Sequence, residues 1–334
     1  MSTFPYSASF PAARPRRLRR APWIRNLVRE HQVGVSDLIW AIVVHDGKDD
    51  RVAVSALPGV DRLNVKAAAE AAEWAQAAGI PAIAVFPHID GAKKDNVGSE
   101  AANPKGLVCE AVRAMKDAAP GVGLMVDVAL DPFTDHGHDG VLQGDVIAND
   151  ETVKRLVDQA LVQADAGADI IAPSDMMDGR VGAIRAALEK AGKHDVMIMA
   201  YAAKYASAFY GPYREAIGSA AALRGDKKTY QMDPGNSEEA LKEVALDIAE
   251  GADMLMVKPG LAYLDILHRV KETFALPTFV FQVSGEYAMI KAAGANGWID
   301  EDRAVMETLL AFKRAGANGI ITYFAPKAVD LLTR

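Results

Sequence analysis

Short apolar runs alternate with stretches rich in Ala and Glu along most of this chain. Several runs follow a Gly-Ala-Asp, Gly-Ile-Pro or Gly-Ala-Asn triplet, which is typical of a helix end, a turn and a new strand. The predicted strands are 38–44, 80–86, 123–130, 168–173, 196–203, 252–258, 277–283 and 318–324. Apolar strands separated by helices form parallel sheets that helices cover. Eight such units predict an α/β fold, a closed (β/α)8 TIM barrel.

An open, doubly wound sheet is the alternative fold. It would need a glycine-rich phosphate loop after the first strand, and the sequence there (VVHDGKDD) contains none. The longest irregular stretches, at about 45–60, 87–107 and 205–236, follow strands 1, 2 and 5. In a barrel these loops lie on the C-terminal face, where active sites are found.

The composition narrows the class of protein. Of 334 residues, 50% are hydrophobic and 24% are charged, as in an ordinary globular protein. No apolar run reaches the roughly 18 residues of a membrane-spanning helix. Cys109 is the one cysteine, which excludes an intrachain disulfide and a cysteine-rich zinc site. The N-terminus lacks the pattern of a secretion signal, so we predict a cytoplasmic protein.

Basic charge is concentrated at the N-terminus, although the net charge of −7 argues against a nucleic-acid binder. Seven arginines lie there: Arg14, Arg16, Arg17, Arg19, Arg20, Arg25 and Arg29. A basic arm could bind nucleic acid, an anionic membrane or a neighbouring subunit. Trp23, Ile24, Leu27 and Val28 alternate with the arginines, which favours a short amphipathic helix lying on protein. We therefore predict an arm over residues 1–35 and a barrel over 36–334.

Four predicted strands end in polar or ionisable residues. Strand 3 ends in Asp127 and Asp131, strand 4 in Asp175, strand 5 at Lys204 and strand 6 at Lys258. Because side chains alternate along a strand, the apolar residues of strand 3 face the helices and its acids face the barrel axis. The same alternation predicts that both lysines point inward.

Two inward lysines on adjacent strands suggest covalent chemistry on a carbonyl. A lysine is rarely buried without a partner, and its ordinary pKa of about 10.4 makes it a poor nucleophile at neutral pH. Burial or a second cation lowers that pKa and frees the amine to attack. The alternative is two structural lysines paired with Asp127 or Asp175.

An acidic segment at 127–140 (DVALDPFTDHGHDG) follows strand 3. Its candidate ligands are Asp131, Asp135, His136, His138 and Asp139. Carboxylates and water suit Mg²⁺, whereas zinc would need Cys or more His. The alternative is a solvated acidic loop.

Two further candidates lie later in the chain. Glu243 and Asp247 are four residues apart, so they share a helical face, which we expect to be solvated. Arg214 follows Tyr210 and Tyr213 in a loop. It could hold a substrate carboxylate or be an ordinary surface residue.

Long sequence blocks carry a family resemblance. They are DVALDPFTDHGHDG, APSDMMDGRVGAIR, AYAAKYASAFYGPYREA, GDKKTYQMDPGN, ADMLMVKPG and VSGEYAMI. From about residue 14 to its end, the chain resembles the porphobilinogen synthase (5-aminolevulinate dehydratase) family. Long blocks in this order are far more specific than any short motif.

The resemblance implies a lyase of tetrapyrrole biosynthesis. Such an enzyme joins two molecules of 5-aminolevulinate into the pyrrole porphobilinogen and releases two waters. Lys258 in MVKPG and Lys204 in AAKYAS correspond to the lysines that hold the two substrates as Schiff bases. Asp127 and Asp175 correspond to acids near them.

Substrate-binding residues are also implied by the resemblance. They comprise a cationic pair for one substrate carboxylate, a hydroxyl pair for the other, and two further pocket and lid positions. In that order they are Arg214 with Lys227, Ser284 with Tyr323, and Gln231 with Tyr210.

The chain departs from the pattern of the zinc-using relatives. Their three cysteines correspond here to Ala129, Asp131 and Asp139. No catalytic zinc is expected, and Asp131 and Asp139 are candidates for another active-site metal. Glu243 matches the glutamate of a regulatory, allosteric Mg²⁺ site. No organic cofactor is implied.

Assembly is implied by the same resemblance. Members associate through the N-terminal arm into hexamers or octamers, so the expected partners are copies of this chain and two molecules of 5-aminolevulinate. We predict neither a nucleic-acid nor a membrane partner. The other hypotheses are an aldolase of the same barrel class that uses one lysine, and a non-catalytic barrel.

Overall fold

Eight parallel strands form a closed barrel in this computed structural model, which describes residues 8–218, 223 and 225–334. The barrel strands are β1 Leu38–His45, β2 Ala82–His88, β3 Gly123–Val128, β4 Ile170–Pro173, β5 Met197–Lys204, β6 Met254–Lys258, β7 Thr278–Gln282 and β8 Gly319–Thr322. Each strand pairs with the next, and β8 returns to β1 with Ile320 beside Leu38. The predicted (β/α)8 barrel is confirmed.

Helices separate the strands throughout the barrel. The described helices are α1 Pro22–Leu27, α2 Val65–Ala78, α3 Leu107–Ala118, α4 Asn149–Asp165, α5 Arg180–Lys190, α6 Gly211–Ala216, α7 Glu238–Ala249, α8 Leu264–Phe274, α9 Ser284–Ala295, α10 Glu301–Arg314 and α11 Ala325–Leu332. Single 3-10 turns are formed by Pro15–Arg19, Val35–Asp37, Gly91–Lys93, Ser99–Ala102, Ala208–Tyr210 and Leu261–Tyr263. None of the described helices is long and apolar enough to cross a membrane.

Helix α2 shows how the sequence determines where a helix begins, which face it buries and where it ends. The side chain of Asn64 accepts the Ala67 N–H at 2.9 Å and caps the start of the helix. Ala68, Ala72 and Ala75 recur at helical spacing and are buried against the barrel. Gly79 ends the helix in the left-handed conformation, with a φ of 80°.

Two short β-hairpins lie in the loops that follow barrel strands. Arg51–Ala53 pairs antiparallel with Asp61–Leu63 after β1, and Leu142–Gln143 pairs with Val146–Ile147 after β3. The Arg51–Ala53 strand of the first hairpin lies inside the predicted irregular stretch 45–60, and its Asp61–Leu63 strand lies just beyond that stretch. The stretch 205–236 contains Ala208–Tyr210 and α6, and part of it lies outside the described residues.

The chain divides into two compact units, residues 1–32 and 33–334. The first contains α1, where a short helix was predicted, and Trp23 and Leu27 on it are 58% and 73% exposed. The second is the barrel. Its interior is mostly apolar, and many of its buried polar groups lie at the C-terminal ends of the strands.

Candidate active site

Lys204 and Lys258 lie side by side at the C-terminal ends of β5 and β6. They are register partners in the parallel ladder, and both are about 95% buried, with exposures of 5% and 4%. Parallel pairing places equivalent positions next to each other. The predicted inward orientation of both lysines is therefore observed, and both side chains are buried at one end of the barrel.

Aromatic rings enclose the ammonium of Lys258. Its Nζ lies 4.8 Å from the ring centre of Phe281 and 5.1 to 5.3 Å from those of Tyr201, Tyr210 and Tyr213. Burial, reinforced by the charge of Lys204, lowers the pKa of Lys258 to about 7. A substantial fraction of this amine is therefore neutral at physiological pH.

Lys204 has a polar environment instead. Its Nζ lies 3.1 Å from Asp139 Oδ1 and donates to the carbonyl of Ser174. The interpretation that Asp127 or Asp175 would be the ion-pair partner is wrong, because Asp139 takes that role. Asp139 lies eleven residues beyond the end of β3, in the loop, where strand alternation could not place it.

Asp139 is the centre of a buried ionic cluster. Its Oδ2 lies 2.6 Å from Lys227 Nζ and accepts the hydroxyl of Tyr230 at 2.9 Å. Lys227 also contacts Asp131 Oδ2 at 3.2 Å. Burial alone would raise the pKa of Asp139, but Lys204 and Lys227 outweigh it and lower that pKa well below its usual range. Asp139 is therefore ionised at neutral pH.

Asp131 lies past the end of its strand. The alternation argument extended strand 3 to residue 130, but β3 ends at Val128. Asp131 is nevertheless buried, and its carboxylate lies against Lys227. In this structure Lys227 thus neutralises two carboxylates rather than being free for a substrate.

Asp127 remains within the barrel, near both lysines. It is 6% exposed, and its Oδ1 has no hydrogen-bond partner in the described structure. Burial raises the pKa of Asp127 to about 6, against the opposing effect of Lys258. Such a carboxyl group can hold or release a proton near neutral pH.

Asp175 belongs to a second buried network. Its Oδ2 accepts the Met177 N–H at 2.8 Å, and its Oδ1 lies 3.5 Å from Arg180 Nε. Arg180 in turn pairs with Asp247 at 3.2 Å. Burial raises the pKa of Asp175 to about 7 despite Arg180. The expectation of a solvated face for Asp247 is wrong, because Asp247 is 3% exposed and paired; Glu243 on the same helix is half-buried.

Two hydroxyl groups line a small pocket together with Lys258. The hydroxyl of Ser284 accepts the Tyr213 N–H at 2.9 Å, and the buried hydroxyl of Tyr323 has no partner among the described residues. Phe281 and Val283 complete the lining around Lys258. The hydroxyl pair predicted for one substrate carboxylate therefore adjoins the predicted Schiff-base lysine.

The structure also places the other predicted pocket residues. The hydroxyl of Tyr210 donates to the Tyr205 carbonyl at 2.8 Å. Arg214 is half-buried on α6. Gln231 is buried and lines a cavity of about 460 Å³ that also reaches Glu243.

Comparison with known proteins identifies the family. A sequence model of the delta-aminolevulinic acid dehydratase family matches residues 12–331. The chain belongs to this family. The dehydratase of Bradyrhizobium diazoefficiens is 63% identical over 321 residues, which cover 96% of this chain and 91% of the relative. That of Rhodobacter capsulatus is 52% identical over 97% of each chain.

A solved structure supports the same assignment. The delta-aminolevulinic acid dehydratase (porphobilinogen synthase) of Toxoplasma gondii ME49, in complex with the reaction product porphobilinogen, superposes with a TM-score of 0.93. It is 48% identical and covers 95% of this chain and 91% of its own. The predicted family and its enzyme class, a hydro-lyase of porphyrin synthesis, are confirmed.

Asp131 and Asp139, the acids considered as ligands of an active-site metal, are not arranged to hold a metal ion. The ammonium of Lys227 lies between Asp131 and Asp139, where a cation bridging the two carboxylates would have to lie. No group of three or more His, Cys, Asp or Glu side chains in the described part of the chain is placed to hold a metal ion. We therefore derive no step through a metal.

Sequence reasoning assigned no role to three contributors. Tyr230 binds Asp139, Arg180 pairs with both Asp175 and Asp247, and a group of three aromatic rings, all but that of Tyr210, helps to enclose Lys258. Tyr230 and Arg180 both lie in the sequence blocks that carry the family resemblance. Tyr230 and Asp139 are 91 residues apart, and Arg180 and Asp247 are 67 apart, so spacing alone could not reveal these two contacts.

Proposed function

We propose that this chain condenses two molecules of 5-aminolevulinate into porphobilinogen, with release of two waters, through imines on Lys258 and Lys204. The observation that carries the proposal is the register pairing of these lysines in one buried site. Two amines on neighbouring strands can hold two ketones next to each other. Holding both reactants removes much of the orientational cost of a condensation.

Lys258 is the nucleophile for the substrate whose carboxylate meets Ser284 and Tyr323. Its neutral amine adds to the ketone carbon, and the carbinolamine then loses water to give the imine. The Ser284 and Tyr323 hydroxyls can donate to the carboxylate at the far end of the same molecule. The aromatic enclosure keeps bulk water from the imine.

Lys204 holds the second substrate. It is ion-paired with Asp139 here, so it must lose a proton before it can add to a ketone. Asp127 and Asp175, whose pKa values burial raises to about 6 and about 7, are the acids suited to exchange protons at neutral pH. Arg214 and Lys227 supply the positive charge for the second carboxylate. For Lys227 this requires a contact to Asp131 or Asp139 to lengthen.

The direct test is reduction by borohydride in the presence of 5-aminolevulinate. Hydride adds to the imine carbon and leaves a stable secondary amine, which peptide mass spectrometry locates. We expect the adduct on Lys258 and formation of the pyrrole without the reductant. Absence of an adduct and of pyrrole would favour the non-catalytic barrel.

A Lys204→Ala variant separates the synthase from an aldolase that uses one lysine. The synthase should lose pyrrole formation while Lys258 can still be trapped, because only the second substrate loses its anchor. Lys116→Ala, which removes a half-buried lysine paired with Asp169 outside the site, is the matched control and should keep the activity. Pyrrole formation at the normal rate by Lys204→Ala would contradict the two-lysine mechanism.

We infer further that the N-terminal arm binds another copy of this chain, in a hexamer or octamer. Large apolar side chains of the arm, including Phe10, Leu18 and Trp23, are 52 to 74% exposed within this chain. Exposed apolar groups amid basic residues are typical of a protein-binding surface. Deletion of residues 1–32 should reduce the mass measured by analytical ultracentrifugation; an unchanged mass would contradict the proposal.

A further inference from the structure

Glu286 has a carboxylate buried at the end of the barrel that the proposed reaction does not use. It is 0% exposed and forms no ion pair in the described part of the chain. Its Oε1 accepts the Leu261 N–H at 2.6 Å, and its Oε2 accepts the Val283 N–H at 2.8 Å and the Gly260 N–H at 3.4 Å. Burying an ionisable group this deeply is costly unless hydrogen bonds satisfy it.

The backbone donors come from two different strand ends. Gly260 and Leu261 belong to the turn that follows β6, two and three residues after Lys258. Val283 follows β7 and directly precedes Ser284. One carboxylate thus ties the segment after the Schiff-base lysine to the segment that carries the hydroxyl for the substrate carboxylate.

Tight packing leaves these segments little freedom to adjust. A Cβ atom on Gly260 would lie 2.6 Å from the Phe312 ring, and one on Gly285 would lie 2.5 Å from the Phe209 carbonyl oxygen. Such distances are far inside van der Waals contact, so both glycines allow close approach of their backbones. The Glu286 hydrogen bonds therefore join two segments that are already closely packed.

We propose that Glu286 is a positioning residue that sets the spacing between Lys258 and the Ser284 hydroxyl, one of the pair predicted to bind the substrate carboxylate. The proposal rests on the proposed function, since it assumes an imine on Lys258. The ketone and carboxylate of 5-aminolevulinate are separated by two methylene carbons. Both ends can be bound at once only if amine and hydroxyls keep a fixed separation. A displacement of about 1 Å can reduce a reaction rate by roughly a hundredfold.

A Glu286→Gln variant tests this with two ketone probes. Glutamine has nearly the same shape, but it offers one acceptor oxygen and turns an NH₂ group toward the backbone donors. The probes are 4-oxopentanoate and pentan-2-one, which carry the same ketone with and without the carboxylate. Borohydride trapping on Lys258 is followed by mass spectrometry above the pKa of Glu286, which burial raises to about 7.

The ratio of the two trapping rates reports the spacing. The wild-type chain should favour 4-oxopentanoate, and Glu286→Gln should reduce that preference roughly ten- to hundredfold while pentan-2-one is still trapped. A general loss of folded protein would lower both rates equally and leave the ratio unchanged. Glu301→Gln, which alters a glutamate paired with Lys291 and Lys327 away from the site, should keep the wild-type ratio.

The outcomes separate this proposal from the proposed function. No adduct with either probe in the wild-type chain would overturn the Schiff-base function itself. A wild-type ratio in Glu286→Gln would overturn the positioning role alone. If Glu286→Gln does not fold, Glu286→Asp, which keeps the charge but shortens the reach, should show the same reduced ratio. Failure of both variants to fold would assign Glu286 to stability and overturn the proposal.

Discussion

Lys204 and Lys258 are adjacent in the sheet, yet their surroundings differ in polarity. Four aromatic rings surround Lys258, and they stabilise its charged form far less than water would. Lys204 instead contacts the carboxylate of Asp139 and a backbone carbonyl. A substantial fraction of the Lys258 amine can therefore attack a ketone at neutral pH, whereas Lys204 must first leave its ion pair with Asp139.

The pH dependence of trapping follows from the lowered pKa of Lys258. Only the neutral amine adds to a ketone, and the pKa of about 7 means that the neutral fraction increases as the pH rises through about 7. We expect the initial rate of borohydride-trapped adduct with 4-oxopentanoate to rise with a midpoint near that value. A midpoint near the ordinary lysine pKa of about 10.4 would contradict the structure.

A Lys204→Gln variant tests which cause contributes most to the lowered pKa of Lys258. Burial is the largest cause and the charge of Lys204 is the second. Removing the charge should therefore raise the midpoint only partly and leave it well below the ordinary value. A full return to the ordinary value would show that charge repulsion, not burial, controls Lys258.

At the scale of elements, the strands could be predicted because they are apolar on both faces. The lysines could be placed because each ends its own strand, so alternation fixes their direction. Asp139 could not be placed in this way, since it lies in the loop beyond β3 and its contacts with Lys204 and Tyr230 span 65 and 91 residues. Glu286 is similar: a glutamate three residues after Val283 indicates a helix cap, and nothing in the sequence reveals its contact with Leu261.

Arg180 couples three elements through buried charges. It begins α5 and contacts Asp175 after β4 and Asp247 on α7. Replacing Asp247 by Ala would leave a buried guanidinium without its closest carboxylate. Loss of one partner of a buried pair costs about 3–5 kcal/mol, so we expect the free energy of unfolding in urea to fall by about that amount.

An exposed ion pair gives the matched control. Glu151 contacts Lys154 at 2.7 Å on α4, and both side chains are at least half exposed. Glu151→Ala should change the free energy of unfolding by less than about 1 kcal/mol. Equal effects of the two substitutions would show that the Arg180 network does not stabilise the barrel.

At the scale of the whole molecule, barrel closure gathers the site from residues that are distant in sequence. Asp127 on β3 and Ser284 after β7 are 157 positions apart, yet each lies near Lys258. Strand order predicts that such residues share one end of the barrel. It does not predict distances, because those depend on how side chains from different loops pack after closure.

The balance of charge at this end of the barrel predicts the response to chelators. Asp131 and Asp139 already contact Lys227, and Asp139 also contacts Lys204. A divalent cation between these carboxylates would meet two ammonium groups within a few ångströms, and repulsion is strong at such distances in a buried site. We expect pyrrole formation to continue after chelator treatment and to gain nothing from added Zn²⁺.

A regulatory effect of Mg²⁺ would have a different origin. Glu243 lies apart from the lysine cluster, on α7 at the cavity that also reaches Gln231 and Tyr230. If Mg²⁺ acts there, as predicted, it should stimulate activity that persists without it, and Glu243→Gln should remove the stimulation but keep the basal rate. Complete loss of activity on chelation, with recovery by Zn²⁺, would instead require Lys227 to leave Asp131 and Asp139, since the ammonium and a bridging cation cannot share that position.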